Sequence, residues 1–359
     1  MEARNLVVAK LSAGEVFDGI DLSGADLSGL DFSGRALTGC TLRGTNLQRC
    51  LFKNARLSEA KLGGADLSEA DLSGADLTRA DLTQTTLVRA RFDRATLVET
   101  DLSGALGSCA SFRSVTGKRA IFARATWEGA TFKGMQMLEA DFSGATLDAA
   151  SLEGAALPDV LLAGVIGSDV MFDRAKLPRA RAQKASLTGS SLKDIDAPGS
   201  TWEEATLSHS TLEGSNLRGA NFTQATCVKT RLARADLRGA NLQRVAGNGA
   251  DLSGCNLEGA DLRNARMPES LFVGATLSKA LASRADFTGA RFVRADLREA
   301  VLRPATLKHA NLAHALVEGA DLREADLEGA TLFGVAREGA KMTGANLKNI
   351  KEDDPSRKP

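Results

Sequence analysis

Apolar side chains recur along this chain with a period of five residues. A Leu or Phe fills most of the central positions from Leu22 to Leu347, and a small residue usually lies two places before it. No residue is inserted or deleted in that run. The period fits neither an α-helix, with about 3.6 residues per turn, nor an alternating strand, with a period of about 2. The pattern therefore predicts a repeat architecture in which each unit packs only against its neighbours.

The pentapeptide has two inward positions, the centre and the small residue, and this predicts a square coil. The other three positions are mostly Asp, Asn, Thr, Ser, Arg, Glu and Gly, as outward positions should be. A chain turning about 90° per pentapeptide closes a coil in four units, so that each residue stacks on the one 20 positions away at about 4.8 Å. The predicted fold class is an all-β solenoid, a parallel β-helix of about 16 coils.

Bulky residues support the 20-residue stacking. Trp127 lies one coil after Gly107, and Trp202 lies one coil after Ala182, so each large side chain has an undersized neighbour. One side of the coil is predicted to carry a column of phenylalanines: Phe32, Phe52, Phe92, Phe112, Phe132, Phe172, Phe272 and Phe292.

The most regular units, Ala65-Asp66-Leu67-Ser68-Glu69 and the five residues that follow, resemble the A(D/N)LXX repeats of the pentapeptide-repeat family. The resemblance covers about residues 15–350 and implies an uninterrupted right-handed quadrilateral β-helix. Residues 1–14 break the pattern, and we interpret them as an irregular N-terminal cap over the first coil. The remaining boundaries are a single β-helix over 15–350 and a disordered polar tail over 351–359.

Composition narrows the function. The chain has 45 basic and 45 acidic residues, so no net field attracts nucleic acid or an anionic membrane. No run approaches the length of about 18 apolar residues that a membrane span requires, and the N-terminus does not resemble a signal peptide. Four of five cysteines occupy inward positions, while Cys109 points outward, which is typical of a reduced, cytoplasmic protein.

No catalytic or cofactor-binding motif is present in the sequence. The residue before each centre is often Asp or Asn, and we expect it to bond the backbone of the local turn. His209, His309 and His314 lie at outward positions without ligands at zinc-like spacing, so no metal site is predicted. We therefore predict a protein with no enzymatic activity and no cofactor.

Two groups of outward apolar residues are candidate protein contacts. The first, which we call the apolar belt, is Ala156, Leu161, Ile166 and Met171, four successive residues that each precede a centre. The second comprises Leu271, Val273, Leu281, Val293 and Val301, split across two sides of the coil. Contiguous exposed apolar groups often mark interfaces. The alternative for the region 105–200, where Asp becomes rare before the centre, is decay of the repeat.

Three functions fit the sequence. The first is a protein-interaction scaffold or adaptor, and the family resemblance extends this to accessory proteins of bacterial secretion systems, including type VI. The second, also implied by the family, is a DNA mimic that binds DNA gyrase or topoisomerase IV and protects it from quinolones or toxins. The zero net charge and the lack of an acidic stripe argue against it. The third is a self-associating element, a homodimer through a coil end or the belt.

Overall fold

The computed structural model of the chain describes residues 2–352. The chain divides into two compact units, residues 1–181 (unit 1) and residues 182–359 (unit 2). Unit 1 contains a helix, α1 (Glu2–Ala13), and three short strands, β1 (Thr96–Val98), β2 (Thr116–Lys118) and β3 (Gln136–Leu138). The strands form one parallel sheet in the order β1-β2-β3.

Helix α1 corrects two expectations, because its residues are not irregular and the fold is not wholly β. Its sequence is rich in Ala, Glu, Arg, Leu and Lys, which have high helix propensity. The helix ends at Gly14, whose φ of 71° is readily adopted by glycine. The N–H of Gly14 donates to Leu11 O and that of Glu15 to Lys10 O, which together form a Schellman motif.

Contacts of α1 with the first coil support the interpretation of a cap, which stays a prediction. Val7 is fully buried. The Arg4 guanidinium donates to Ser28 O at 3.0 Å. Arg35, which stands where the repeat has a small residue, donates from Nη2 to Leu11 O at 3.1 Å near the end of the helix. The discordant arginine thus joins the repeat to the helix.

Each unit is built from four-sided coils of 20 residues. Parallel bridges join residues 20 positions apart, at every fifth residue. One set of four in unit 1 comprises Asp66–Thr86, Asp71–Arg91, Asp76–Thr96 and Asp81–Asp101. A corresponding set in unit 2 comprises Asp251–Leu271, Asn256–Thr276, Asp261–Leu281 and Arg266–Asp286. Within the described residues, pairing extends over three residues only at β1–β3. The handedness, the number of coils and continuity from 181 to 182 stay predictions.

One repeat shows how the backbone is satisfied. Leu72 N–H donates to Arg91 O in the following coil, and Asp71 N–H donates to Cys50 O in the preceding one. The turn closes from Ala75 N–H to Leu72 O, and Gly74 has a φ of 70°. A positive φ at the third residue of a tight turn favours glycine, and the same position has a positive φ in most repeats of both units.

Stacked side chains fill each unit as the 20-residue offset predicts. In unit 1 the ring centroids of Phe92 and Phe112 lie 4.6 Å apart, and in unit 2 those of Phe272 and Phe292 lie 4.7 Å apart. A Cβ at Gly107 would lie only 2.1 Å from Cζ3 of Trp127, which confirms that the tryptophan occupies the space left by the glycine.

Two further centres follow the same rule. A Cβ at Gly117 would lie 2.4 Å from Leu97 O in the preceding coil and 3.1 Å from the sulfur of Met137 in the following one. A Cβ at Gly247 would lie 2.9 Å from Cε of Met267. At Gly107, Gly117 and Gly247 the missing side chain therefore leaves space for a larger or longer one in the next coil, whereas a Cβ at the central Gly167 would meet Val170 instead.

Near the C-terminal end of the described chain, from about residue 335, the inward positions are more exposed to solvent than in the preceding coils. Arg337, at a position that should be buried, is exposed, and its guanidinium forms an ion pair with Glu352 at 2.6 Å. Lys351 still bridges Thr331, so the register reaches one residue beyond the predicted end of the β-helix. The rest of the predicted tail, residues 353–359, lies outside the described residues.

The cysteines allow a test of the inward and outward assignment. Cys40, Cys50, Cys227 and Cys255 are buried and Cys109 is exposed. Burial raises the pKa of Cys40, Cys227 and Cys255 to about 12 and that of Cys50 to about 11, so their thiols lack the reactive thiolate at neutral pH. We expect a thiol reagent such as DTNB to titrate one group in the folded protein and five after denaturation. Rapid reaction of a second thiol without unfolding would contradict the assignment.

Candidate functional site

The apolar belt runs around one coil of unit 1, with one residue on each of its four sides. Ala156, Leu161, Ile166 and Met171 bridge Gln136, Asp141, Thr146 and Ser151 of the preceding coil. Ile166 is 59% exposed and Met171 41% exposed, whereas Ala156 and Leu161 are half-buried. A partner approaching the corner between two adjacent sides would therefore meet Ile166 and Met171 first.

Two exposed apolar residues near the belt were missed by the sequence analysis. Leu106 is 52% exposed and lies in the column of Ile166, joined to it through bridges at Thr126 and Thr146. This column carries no charge between residues 106 and 166. Leu138, 42% exposed, lies in β3 beside the side that carries Ala156. Subtracting multiples of 20 from the belt positions would have found Leu106 from the sequence.

The second predicted group is split in the structure as expected. Leu281 is exposed and bridges the half-buried Val301 on one side of unit 2. Leu271, Val273 and Val293 are half-buried on another side. The group forms no single apolar surface, and the pair Leu281–Val301 is its most accessible part.

The Asp residues before the centres bind the turns, as predicted. In Asp66 the Oδ1 atom accepts bonds from Ser68 N at 2.9 Å and Ser68 Oγ at 2.6 Å. Burial alone would raise the pKa of this carboxyl, but hydrogen bonds from Gln48 and Ser68 lower it overall. Equivalent bonds recur at Asp76 and Asp286. These carboxylates are scaffold groups that hold the turns.

Charged residues at one corner of unit 1 are paired across neighbouring coils. Arg79 pairs with Glu59, Arg119 with Glu99 and Arg179 with Asp159, each 20 residues apart in a single column. Exposed ion pairs of this kind contribute little stability individually. Each of the three pairs places an arginine beside a carboxylate, so these six charges cancel locally.

A polar recess of about 610 Å³, not predicted from the sequence, lies on one side of unit 1. At its base Asp71, only 7% exposed, lies 3.4 Å from Lys53 Nζ and 3.7 Å from Arg91 Nη1. Burial acts to raise the pKa of Asp71, but hydrogen bonds from Ser73 and the two cations hold it below its ordinary value. The carboxylate is thus satisfied within the protein, and the recess contains no free nucleophile or base.

Residues 2–352 contain neither a cluster of metal ligands nor a membrane-spanning helix. Within this range no group of three or more His, Cys, Asp or Glu side chains is placed to hold a metal ion. The three histidines are exposed on the outer surface of unit 2. No helix in the described part of the chain has the length and apolar character needed to cross a membrane.

Comparison with known proteins gives one consistent likeness. A sequence profile described as pentapeptide repeats matches residues 16–106, 118–164, 203–267, 269–303 and 307–349, counted as the union of overlapping matches. The chain is 37% identical to a pentapeptide repeat protein from the Arabidopsis thaliana thylakoid lumen, over 28% of this chain and 69% of that one, with a TM-score of 0.27. The search of curated proteins gave no match.

Two other solved structures are similar at lower identity. HetL, a pentapeptide repeat protein involved in heterocyst differentiation regulation in the cyanobacterium Nostoc sp. strain PCC 7120, is 21% identical, covering 96% of this chain and 92% of that one, with a TM-score of 0.18. QnrB1, a plasmid-mediated fluoroquinolone resistance protein, is 18% identical, covering 56% of this chain and 93% of that one, with a TM-score of 0.24.

Proposed function

Because the chain belongs to the pentapeptide-repeat family, we propose that it is a non-enzymatic scaffold or adaptor that binds another protein through the corner of unit 1 formed by Ile166 and Met171. The observation that carries this proposal is the exposure of two large apolar side chains at repeat positions where Asp, Asn and Thr are common. An apolar surface of this kind gains free energy when a partner removes it from water.

The surroundings of this corner favour a protein partner over a small molecule or nucleic acid. The column from Leu106 through Thr126 and Thr146 to Ile166 is uncharged, so a partner can cover it without removing ions from water. Interface centres are typically depleted of charge in this way. A role beside a bacterial secretion system is the more specific form of the proposal, and it rests on the family resemblance alone.

The DNA-mimic alternative receives less support. It needs an acidic stripe, whereas several carboxylates of unit 1 pair with arginines across coils or bond their own turns. The self-association alternative uses the same corner as the scaffold proposal, with a second copy as the partner, and the same experiment separates them.

The test is a double substitution, Ile166→Asp with Met171→Asp. Asp is the usual residue at this repeat position, so the variant should fold and keep its far-UV circular dichroism spectrum. We expect it to lose the partner that the full chain captures from lysate of its host, with affinity for the purified partner falling at least about tenfold, as loss of an interface anchor does. Sedimentation of both proteins measures self-association in the same samples.

The matched control is Thr206→Asp with Thr226→Asp, which makes the same charge change at the same repeat position in unit 2. It should retain the partner. Undiminished capture by the Ile166 and Met171 variant would refute the proposed surface, and capture of gyrase or topoisomerase IV subunits would favour the DNA mimic. A dimer that dissociates in the variant would identify a second copy as the partner.

A further inference from the structure

Arginines of unit 2 show a regular pairing rule. Where an arginine follows the centre and an aspartate precedes it, the two side chains form an ion pair within one repeat. Arg238, Arg263, Arg298 and Arg323 each bind the aspartate two residues earlier, at 2.7, 2.6, 2.7 and 2.7 Å. The aspartate also accepts the backbone N–H of that arginine, as in Asp261 with Arg263 at 3.1 Å. Such arginines are already neutralised by their own repeat.

Arg303 breaks this rule because Val301 occupies the place of the aspartate. Its guanidinium has no hydrogen bond or ion pair within residues 2–352. Its charge contributes to the lowered pKa of Asp321, a carboxylate that Arg323 binds directly. Arg284, exposed at the adjoining corner, likewise has no side-chain partner in that range. Two uncompensated cations therefore lie close together.

The two arginines line one recess of about 380 Å³, together with Arg263, Asn264, Ser283 and Pro304. Ser283 is 20 residues from both Arg263 and Arg303, so a short side chain separates two long ones and leaves space between their guanidinium groups. Pro304 stands where the repeat usually has a positive φ, which proline cannot adopt. At this corner the N–H of Arg284 donates to Pro304 O instead of to the carbonyl one residue earlier.

We propose that this recess binds the phosphate groups of a small phosphorylated molecule. Its polar lining offers guanidinium, hydroxyl and amide donors, and guanidinium forks match phosphate oxygens in pairs. Carboxylates around the recess have partners of their own: Asp261 binds Arg263, Asp321 binds Arg323 and Asp286 accepts bonds from Thr288. No aromatic side chain lines the recess, so a base would find no stacking platform and the phosphate supplies the recognition.

The test is calorimetric titration of the full chain with inorganic diphosphate at low ionic strength. Arg284→Ala and Arg303→Ala should each weaken binding about tenfold or more, in keeping with a lost hydrogen bond to a charged group. Val301→Asp is the sharper variant, because it keeps Arg303 but supplies the missing partner of the pairing rule. It should weaken diphosphate binding to a similar extent while leaving the fold intact.

Arg238→Ala is the matched control, because it removes an arginine already paired with Asp236, and it should bind diphosphate as the unaltered chain does. Succinate, which carries two carboxylates, should bind at least about tenfold more weakly than diphosphate. The proposal is overturned if diphosphate does not bind, if the Val301→Asp variant binds it unchanged, if Arg238→Ala weakens it equally, or if succinate competes equally well.

Discussion

Replacing Leu72 with Asp is expected to reduce the free energy of unfolding of unit 1 by at least about 4 kcal/mol. Leu72 is fully buried at the centre of one of the most regular repeats. Its side chain lies between those of the coils before and after it, where a carboxylate would have neither water nor a cation. The loss combines the apolar contacts of the leucine with the cost of burying a charge. Urea unfolding followed by far-UV circular dichroism measures it.

Two control variants separate burial of charge from other effects. Leu72→Met keeps the volume and polarity of the site and should cost less than about 1.5 kcal/mol. Thr86→Asp introduces the same charge at an outward position of unit 1 that commonly holds Asp, and should leave stability nearly unchanged. If Leu72→Asp were tolerated as well as Thr86→Asp, the inward assignment of the centres would be wrong.

The second large effect is expected at the contact between Gly107 and Trp127. Gly107→Leu alone should destabilise unit 1 by roughly 3 kcal/mol or more, since the first added carbon would already overlap the indole ring. Trp127→Leu alone should cost roughly 2–4 kcal/mol, because a void remains beside Gly107 and the bond from Trp127 Nε1 to Phe122 O is lost. Each substitution is damaging by itself.

Together the two substitutions should partly compensate. The double variant places leucine in both coils, as in the regular part of the repeat. Its loss of unfolding free energy should be smaller than the sum of the two single losses by about 3 kcal/mol. Chemical denaturation of the four proteins closes this double-mutant cycle. Additive losses would show that the two residues do not share one space, contrary to the packing described above.

Most of the coil could be predicted because its physical cause is local and periodic. The spacing of Leu and Phe specifies which residues point inward, and the 20-residue offset then predicts contacts such as Phe92 with Phe112. Helix α1 was missed because it belongs to no repeat. Its sequence signals were residues of high helix propensity and Gly14 after them, and the meaning of a single glycine depends on the backbone around it.

The candidate sites were less predictable, since they depend on what each polar group has as a partner. The sequence identified Ile166 and Met171 as outward and apolar, but not that Ala156 and Leu161 are half-buried. The recess beside Arg303 was overlooked because its charge looks ordinary in a chain with equal acidic and basic residues. The sequence does show that Val301 replaces an aspartate two residues before Arg303. The importance of that replacement becomes clear only from the ion pair that Asp261 forms with Arg263 in the structure.

The 20-residue coil has a consequence for how the gene for such a protein can change in length. Within a unit, recombination that removes or duplicates one whole coil returns every following residue to the side it occupied before. Each column of central side chains then loses or gains one member, and the remaining members keep their register. Insertion or deletion of a single pentapeptide keeps inward positions inward and outward positions outward. It moves all later residues to the next side of the coil, however, so that stacked pairs such as Phe92 and Phe112 are separated when the change falls between them. Inherited length variation should therefore proceed in steps of a coil.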